Sequence, residues 1–179
     1  QTKSYNDIVS EIIPHLKEAA TSKEYVTGIK TFIKELDRVL LGFQDSDLVI
    51  LAARPSMGKT ALAVDIARKQ AKELNAPVAI FSLEMSNVQI VHRHISAETQ
   101  IPLENIRKGG LTYDQWQKFD TVSNQIKKYP IQICDDGGMT LNQICSISKN
   151  WSLKYGIKAI YIDYLQLINN SKGSGNREQ

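Results

Sequence analysis

Cysteine is scarce in this chain and badly spaced for a metal. Cys134 and Cys145 are the only two, and neither sits in a C-x-x-C pair. A disulfide scaffold is thereby excluded, and two thiols in 179 residues suit a reducing compartment. Histidine is nearly as rare, with His15, His92 and His94. His92 and His94 lie two apart in a predicted helix, so they point to different faces and are expected to pack or meet solvent, not to share a metal. No apolar run is long enough to cross a bilayer, and the N-terminus lacks a signal-peptide core. A membrane role is therefore not expected, and a cytoplasmic location is. Charge of one sign is lacking too: 22 basic against 19 acidic side chains leave +3, too little to argue for nucleic acid by bulk charge. The chain begins at Gln1 rather than Met, so we expect a processed protein or a piece of a longer one.

What is present is the size and texture of one globular domain, with 42% hydrophobic and 23% charged residues. Residues 5–20 place Ile8, Ile12, Ile13 and Leu16 at helical spacing, with Pro14 expected to disturb that helix. A polar stretch, 21–28, reads as a linker. Then strands alternate with helices. Leu48-Val49-Ile50-Leu51-Ala52 is an uninterrupted apolar run, expected to be a strand buried on both faces. A helix over 61–74 follows, then a strand at Val78–Phe81 ending in Ser82-Leu83-Glu84. Ser86 is placed to cap a helix running to Thr99. Gly109-Gly110 breaks the chain, and Thr112 caps a helix carrying Trp116, Phe119, Val122 and Ile126. Pro130–Cys134 is the next strand, and Thr140 begins a helix bearing Ile144, Ile147, Trp151 and Leu153. Lys158–Asp163 is a last strand with an acid at its end. This alternation predicts an α/β fold with a mainly parallel central sheet. The polar tail 169–179 reads as a loop.

The chemistry begins at Ala53-Arg54-Pro55-Ser56-Met57-Gly58-Lys59-Thr60. A phosphate loop needs converging backbone N–H groups, a helix N-terminus and a lysine that reaches the outer phosphates. The general pattern is G-x-x-x-x-G-K-[ST]; Ala53 replaces the first glycine, which is tolerable if its φ is negative. Lys59 would then contact the β and γ phosphates, and the Thr60 hydroxyl would ligate Mg²⁺. Asp163, at the end of an apolar strand, is the expected second metal ligand. Glu84 stands past the strand that follows the loop's helix, the end that faces the ligand crevice in such sheets. From its position alone, Glu84 reads equally well as a water-activating base and as an acid favoured near a helix N-terminus.

Three blocks together resemble the DnaB-type replicative helicases. They are residues 52–61, then Phe81-Ser82-Leu83-Glu84-Met85-Ser86, then Ile162-Asp163-Tyr164-Leu165-Gln166-Leu167. Weaker matches lie at Leu36-Asp37, Arg107–Thr112, Asp135-Asp136 and Asn176–Gln179. The resemblance implies a RecA-like P-loop ATPase domain over 27–179, preceded by a linker helix and connection over 1–26. It implies ATP and Mg²⁺ as cofactors, Glu84 and Lys59 as catalytic residues, and translocation on single-stranded DNA to unwind duplex at the replication fork. Lys172, Gly173, Gly175 and Arg177 occupy the region that lines the central channel in that family. The implied partners are the other subunits of a homo-hexamer, a primase and a helicase loader. The family's sensor glutamine and arginine finger would lie beyond residue 179, so the 179-residue chain is expected to bind ATP–Mg²⁺ but to turn it over slowly. Two alternatives share the loop and the acids: another RecA-like ATPase, such as a recombinase or clock-type ring protein, and a nucleotide-gated binding module such as a loader.

Overall fold

Every residue of Val78-Ala79-Ile80-Phe81-Ser82 is buried, because this strand, β1 (Val78–Ser82), is central in its sheet. In the computed structural model, which describes residues 3–21, 26–54 and 56–164, β1 pairs in parallel with β2 (Ile131–Cys134) on one side and β3 (Ala159–Asp163) on the other. Alternation along β1 builds two cores. Val78 and Ile80 pack with Val64, Ala67 and Ala71 of helix α3 (Lys59–Glu73) and with Ile90 of α4 (Asn87–Thr99). Ala79 and Phe81 join Leu83, Met139 and Ile144, the last from α7 (Leu141–Tyr155). Phe81 also stacks on Trp151 at 5.4 Å between ring centres. Both faces of the sheet are thus covered, which is why β1 reads as continuous apolar sequence rather than an alternation.

The remaining elements are α1 (Tyr5–Thr21), α2 (Lys34–Leu40), α5 (Leu103–Lys108) and α6 (Tyr113–Ile126). A third cluster, built on Ile95, Ile101 and Ile106, carries Phe119 and Ile126 of α6 on α4 and α5. Three helices open identically: Ser86, Thr112 and Thr140 each accept the N–H of a glutamine three residues on, while that side chain returns the bond.

The chain divides into two compact units, 1–51 and 52–179. In the first, α1 runs unbroken through Pro14, and Ile8, Ile12, Ile13 and Leu16 all remain exposed. An antiparallel bridge joins Ile29 to Phe43, and the buried Asp37 carboxylate accepts the N–H groups of Thr31 and Phe32. Residues 48–52 are a correction to the expected strand. They form no ladder with any described strand, and Leu48 and Ile50 are 84% and 71% exposed. An apolar run becomes a strand only when a neighbour takes its N–H and C=O groups, and among the described residues none does. Leu153, one of the apolar residues carried by α7, is also exposed. It lies two residues from Trp151 and so turns away from the face shared by Ile144, Ile147 and Trp151.

Candidate functional site

The phosphate-loop sequence leads straight into α3, whose N-cap is Gly58 at φ 85°. That left-handed conformation suits glycine, and a Cβ there would meet nothing within 4 Å, so the requirement is conformational rather than spatial. Ser56 also has a positive φ, 65°. Ala53 is not among the positive-φ residues, so alanine replaces glycine there without strain. Arg54 accepts the Met57 N–H through its carbonyl at 3.3 Å, and both side chains are exposed. Pro55 lies outside the described residues, as do Lys172, Gly173, Gly175, Arg177 and the block Leu165–Leu167.

The first turn of α3 and the end of β3 meet. Lys59 Nζ is 3.0 Å from Asp163 Oδ1, and the Thr60 hydroxyl donates to Asp163 Oδ2 at 2.5 Å. Asp163 is buried, and its carboxylate is held on both oxygens. The Lys59 ammonium also sits 4.2 Å from the centre of the Tyr164 ring, a cation–π contact. Behind these groups the Tyr161 hydroxyl donates to Gln70 at 2.7 Å, tying β3 to α3 further along the helix. Burial pushes the Tyr161 phenol well above its ordinary range, so it stays a neutral donor.

Glu84 reaches the same end of the sheet by register. Ser82 stands opposite Asp163, and the Leu83 N–H donates to the Asp163 carbonyl at 2.8 Å. Glu84 is the next residue, exposed, and its carboxylate has no hydrogen-bond or ion-pair partner among the described residues. The structure therefore gathers Lys59, Thr60 and Asp163 in direct contact and sets Glu84 one residue beyond the strand pair.

Among described residues, no group of three or more His, Cys, Asp or Glu side chains is placed to hold a metal. The donors on offer are one hydroxyl and one carboxylate, both hard oxygens. That set fits Mg²⁺ bound through a carboxylate and substrate phosphates rather than by an all-protein cage. A separate cavity of about 350 Å³ lies between α3 and α4, lined by Ala61, Val64, Arg68, Arg93 and His94 among others. Asp163 is not part of its lining, which is mostly apolar. His94 is buried there, and its pKa is pushed down to about 4 by burial and by the Arg68 charge. Sequence reasoning anticipates neither α5 nor a contact between Asn87 and Asp135. The proline at 102 and the glycine at 109 bracket α5 and are its only local signals.

Residues 28–179 match the family model described as the DnaB-like helicase C terminal domain. The chain is 38% identical over 178 residues to the replicative DNA helicase DnaC of Bacillus subtilis, covering 99% of this chain and 39% of that protein. It is 40% identical over 178 residues to the replicative DNA helicase DnaB of Geobacillus stearothermophilus, again with 99% and 39% coverage. The chain thus spans about two fifths of the length of these relatives. Among solved structures, one ATPase domain superposes with a TM-score of 0.90 at 28% identity, covering 99% of this chain and 62% of that one. A DnaB-like replicative helicase, solved in a study of its interactions with primase, superposes at 0.82 with 29% identity over 99% of this chain and 42% of that one.

Proposed function

The chain belongs to the DnaB-like helicase C-terminal domain family, and from that premise we propose that it is the ATP-hydrolysing motor of a replicative DNA helicase. The observation that carries this reading is the contact of Lys59 and Thr60, on the first turn of α3, with the Asp163 carboxylate at the end of β3. Residues 53–60 form the phosphate cradle, with backbone N–H groups and the α3 N-terminus directed at the anion. Lys59 exchanges Asp163 for the β and γ phosphates. Thr60 and Asp163 would hold Mg²⁺, which would supply charge neutralisation at the phosphates. Glu84, unpartnered at the sheet's end, takes the proton from the attacking water.

We place the motor at 27–179 and the linker helix with its connection at 1–26; the family match starting at residue 28 supports that boundary. The working form is a homo-hexamer around single-stranded DNA, with residues Lys172, Gly173, Gly175 and Arg177 facing the strand. Primase and a helicase loader are the partners of the complete protein, and the cytoplasm is its compartment. No helix of the described residues is long and apolar enough to cross a membrane.

The test is ATP hydrolysis by the complete protein with and without single-stranded DNA, measured alongside its mass in solution. DNA-stimulated turnover by a ring is expected, and Glu84→Gln is expected to bind ATP but not to hydrolyse it. A monomer indifferent to DNA would overturn the helicase reading. A Glu84→Gln protein with wild-type turnover would instead favour a nucleotide-gated binding module.

A further inference from the structure

The turn that carries Glu84 is held at three points. On its strand side, Leu83 N–H donates to the Asp163 carbonyl at 2.8 Å. In the middle, Met85 N–H donates to the Ser82 hydroxyl at 3.2 Å. On its helix side, the Asp135 carboxylate takes two bonds from Asn87, the backbone N–H at 2.8 Å and the side-chain Nδ2 at 3.3 Å. Asp135 follows directly on β2, whose last residue, Cys134, stands opposite Phe81. Its loop runs beside the turn. Met139 packs in one cluster with Leu83, and a Cβ built on Gly137 would lie 3.9 Å from the Leu83 carbonyl oxygen.

The contact adds to the cap of α4: the box of Ser86 and Gln89 serves the N–H groups of those two residues, and Asp135 takes that of Asn87. Asn87 and Asp135 are both exposed, so water can replace the bond at little cost in stability. What water cannot replace is the geometry: Asp135 is the bond that ties the helix end of the turn to a strand of the sheet. Loss of it leaves the turn held at Leu83 and Met85 on the strand side, with Asn87, at the other end of the turn that carries Glu84, untied from the end of β2.

We propose that Asp135 is a positioning residue, acting through Asn87 to fix the carboxylate of Glu84 over the reacting water. The proposal rests on Glu84 being the base. A displacement on the order of 1 Å at a reacting group is enough to cost rate without touching ground-state binding.

The experiment uses the complete assembled protein and steady-state ATP hydrolysis, with binding of a fluorescent ATP analogue measured in parallel. Asp135→Ala is expected to lower kcat by about tenfold or more while KM and analogue affinity stay within about twofold. Asp135→Asn keeps an amide oxygen to accept the Asn87 N–H and is expected to recover most of the lost kcat. Turnover of Asp135→Ala within about twofold of wild type overturns the proposal, as does a fall in kcat matched by an equal fall in nucleotide affinity. A Glu84→Gln arm separates the two levels: wild-type turnover there refutes the base assignment itself, whatever Asp135 does.

Discussion

The ammonium of Lys59 and the carboxylate of Asp163 neutralise one another at 3.0 Å, with the Thr60 hydroxyl on the second carboxylate oxygen. Each group thereby holds the other in place. Asp163→Asn removes the charge but keeps the shape. It is expected to lower hydrolysis by about a hundredfold or more while making nucleotide affinity less sensitive to chelation of Mg²⁺. Phosphate release and analogue titration with and without a chelator would check both halves.

Gly58 is a second lever on the same loop. Its φ of 85° is open to glycine and costly to any L side chain, although a Cβ would meet no neighbour. Gly58→Ala should cost about 1–2 kcal/mol, read as a weakening of nucleotide affinity by roughly tenfold. Affinity measured by titration would reveal it; an unchanged value would mean that the loop relaxes freely to another φ.

Arg68 and Glu98 form an ion pair whose side chains are 9% and 8% exposed, joined by Asp65 on Arg68 at 2.6 Å and Lys72 on Glu98 at 2.9 Å. Removing one member strands a buried charge. Glu98→Ala is expected to destabilise the fold by about 3 kcal/mol, at the low end because Asp65 still serves Arg68. Urea denaturation followed by tryptophan fluorescence measures it.

His94 predicts a pH dependence of defined sign. Burial first, and the Arg68 charge second, hold its pKa down to about 4, against a hydrogen bond with the Val64 backbone and the Asp65 charge, which pull it up. The unfolded chain binds the proton more readily, so the contribution is fully present above the ordinary histidine pKa and is lost as pH falls toward the folded value. Stability should drop by about 2 kcal/mol between about pH 7 and 5. Denaturation curves for wild type and His94→Gln check this, because the glutamine variant should lose that part of the slope.

Much of the site was legible because its residues are placed by local rules. The start of α3 after Gly58 and the acid at the end of β3 are adjacent in sequence to the elements that orient them. The helix starts at Ser86, Thr112 and Thr140 were readable for the same reason. What escaped were features decided by a partner distant in sequence. Residues 48–52 have every local mark of a strand but no described neighbour to pair with. The Asn87–Asp135 contact spans 48 positions and involves two exposed polar residues with no periodic signature. His94 looked like any helical histidine until α3 was packed beside it.

The repeated Ser/Thr-x-x-Gln device at α4, α6 and α7 has a practical corollary for anyone screening variants of this protein. Those helix starts are written in a code that needs only four consecutive residues, so they do not depend on the register of the sheet. A variant with β1 and β3 out of register would keep its far-ultraviolet dichroism while Asp163 no longer met Lys59. Helical content is therefore the wrong pass mark for a well-folded preparation. Near-ultraviolet dichroism, read from the Phe81–Trp151 stack, is the right one.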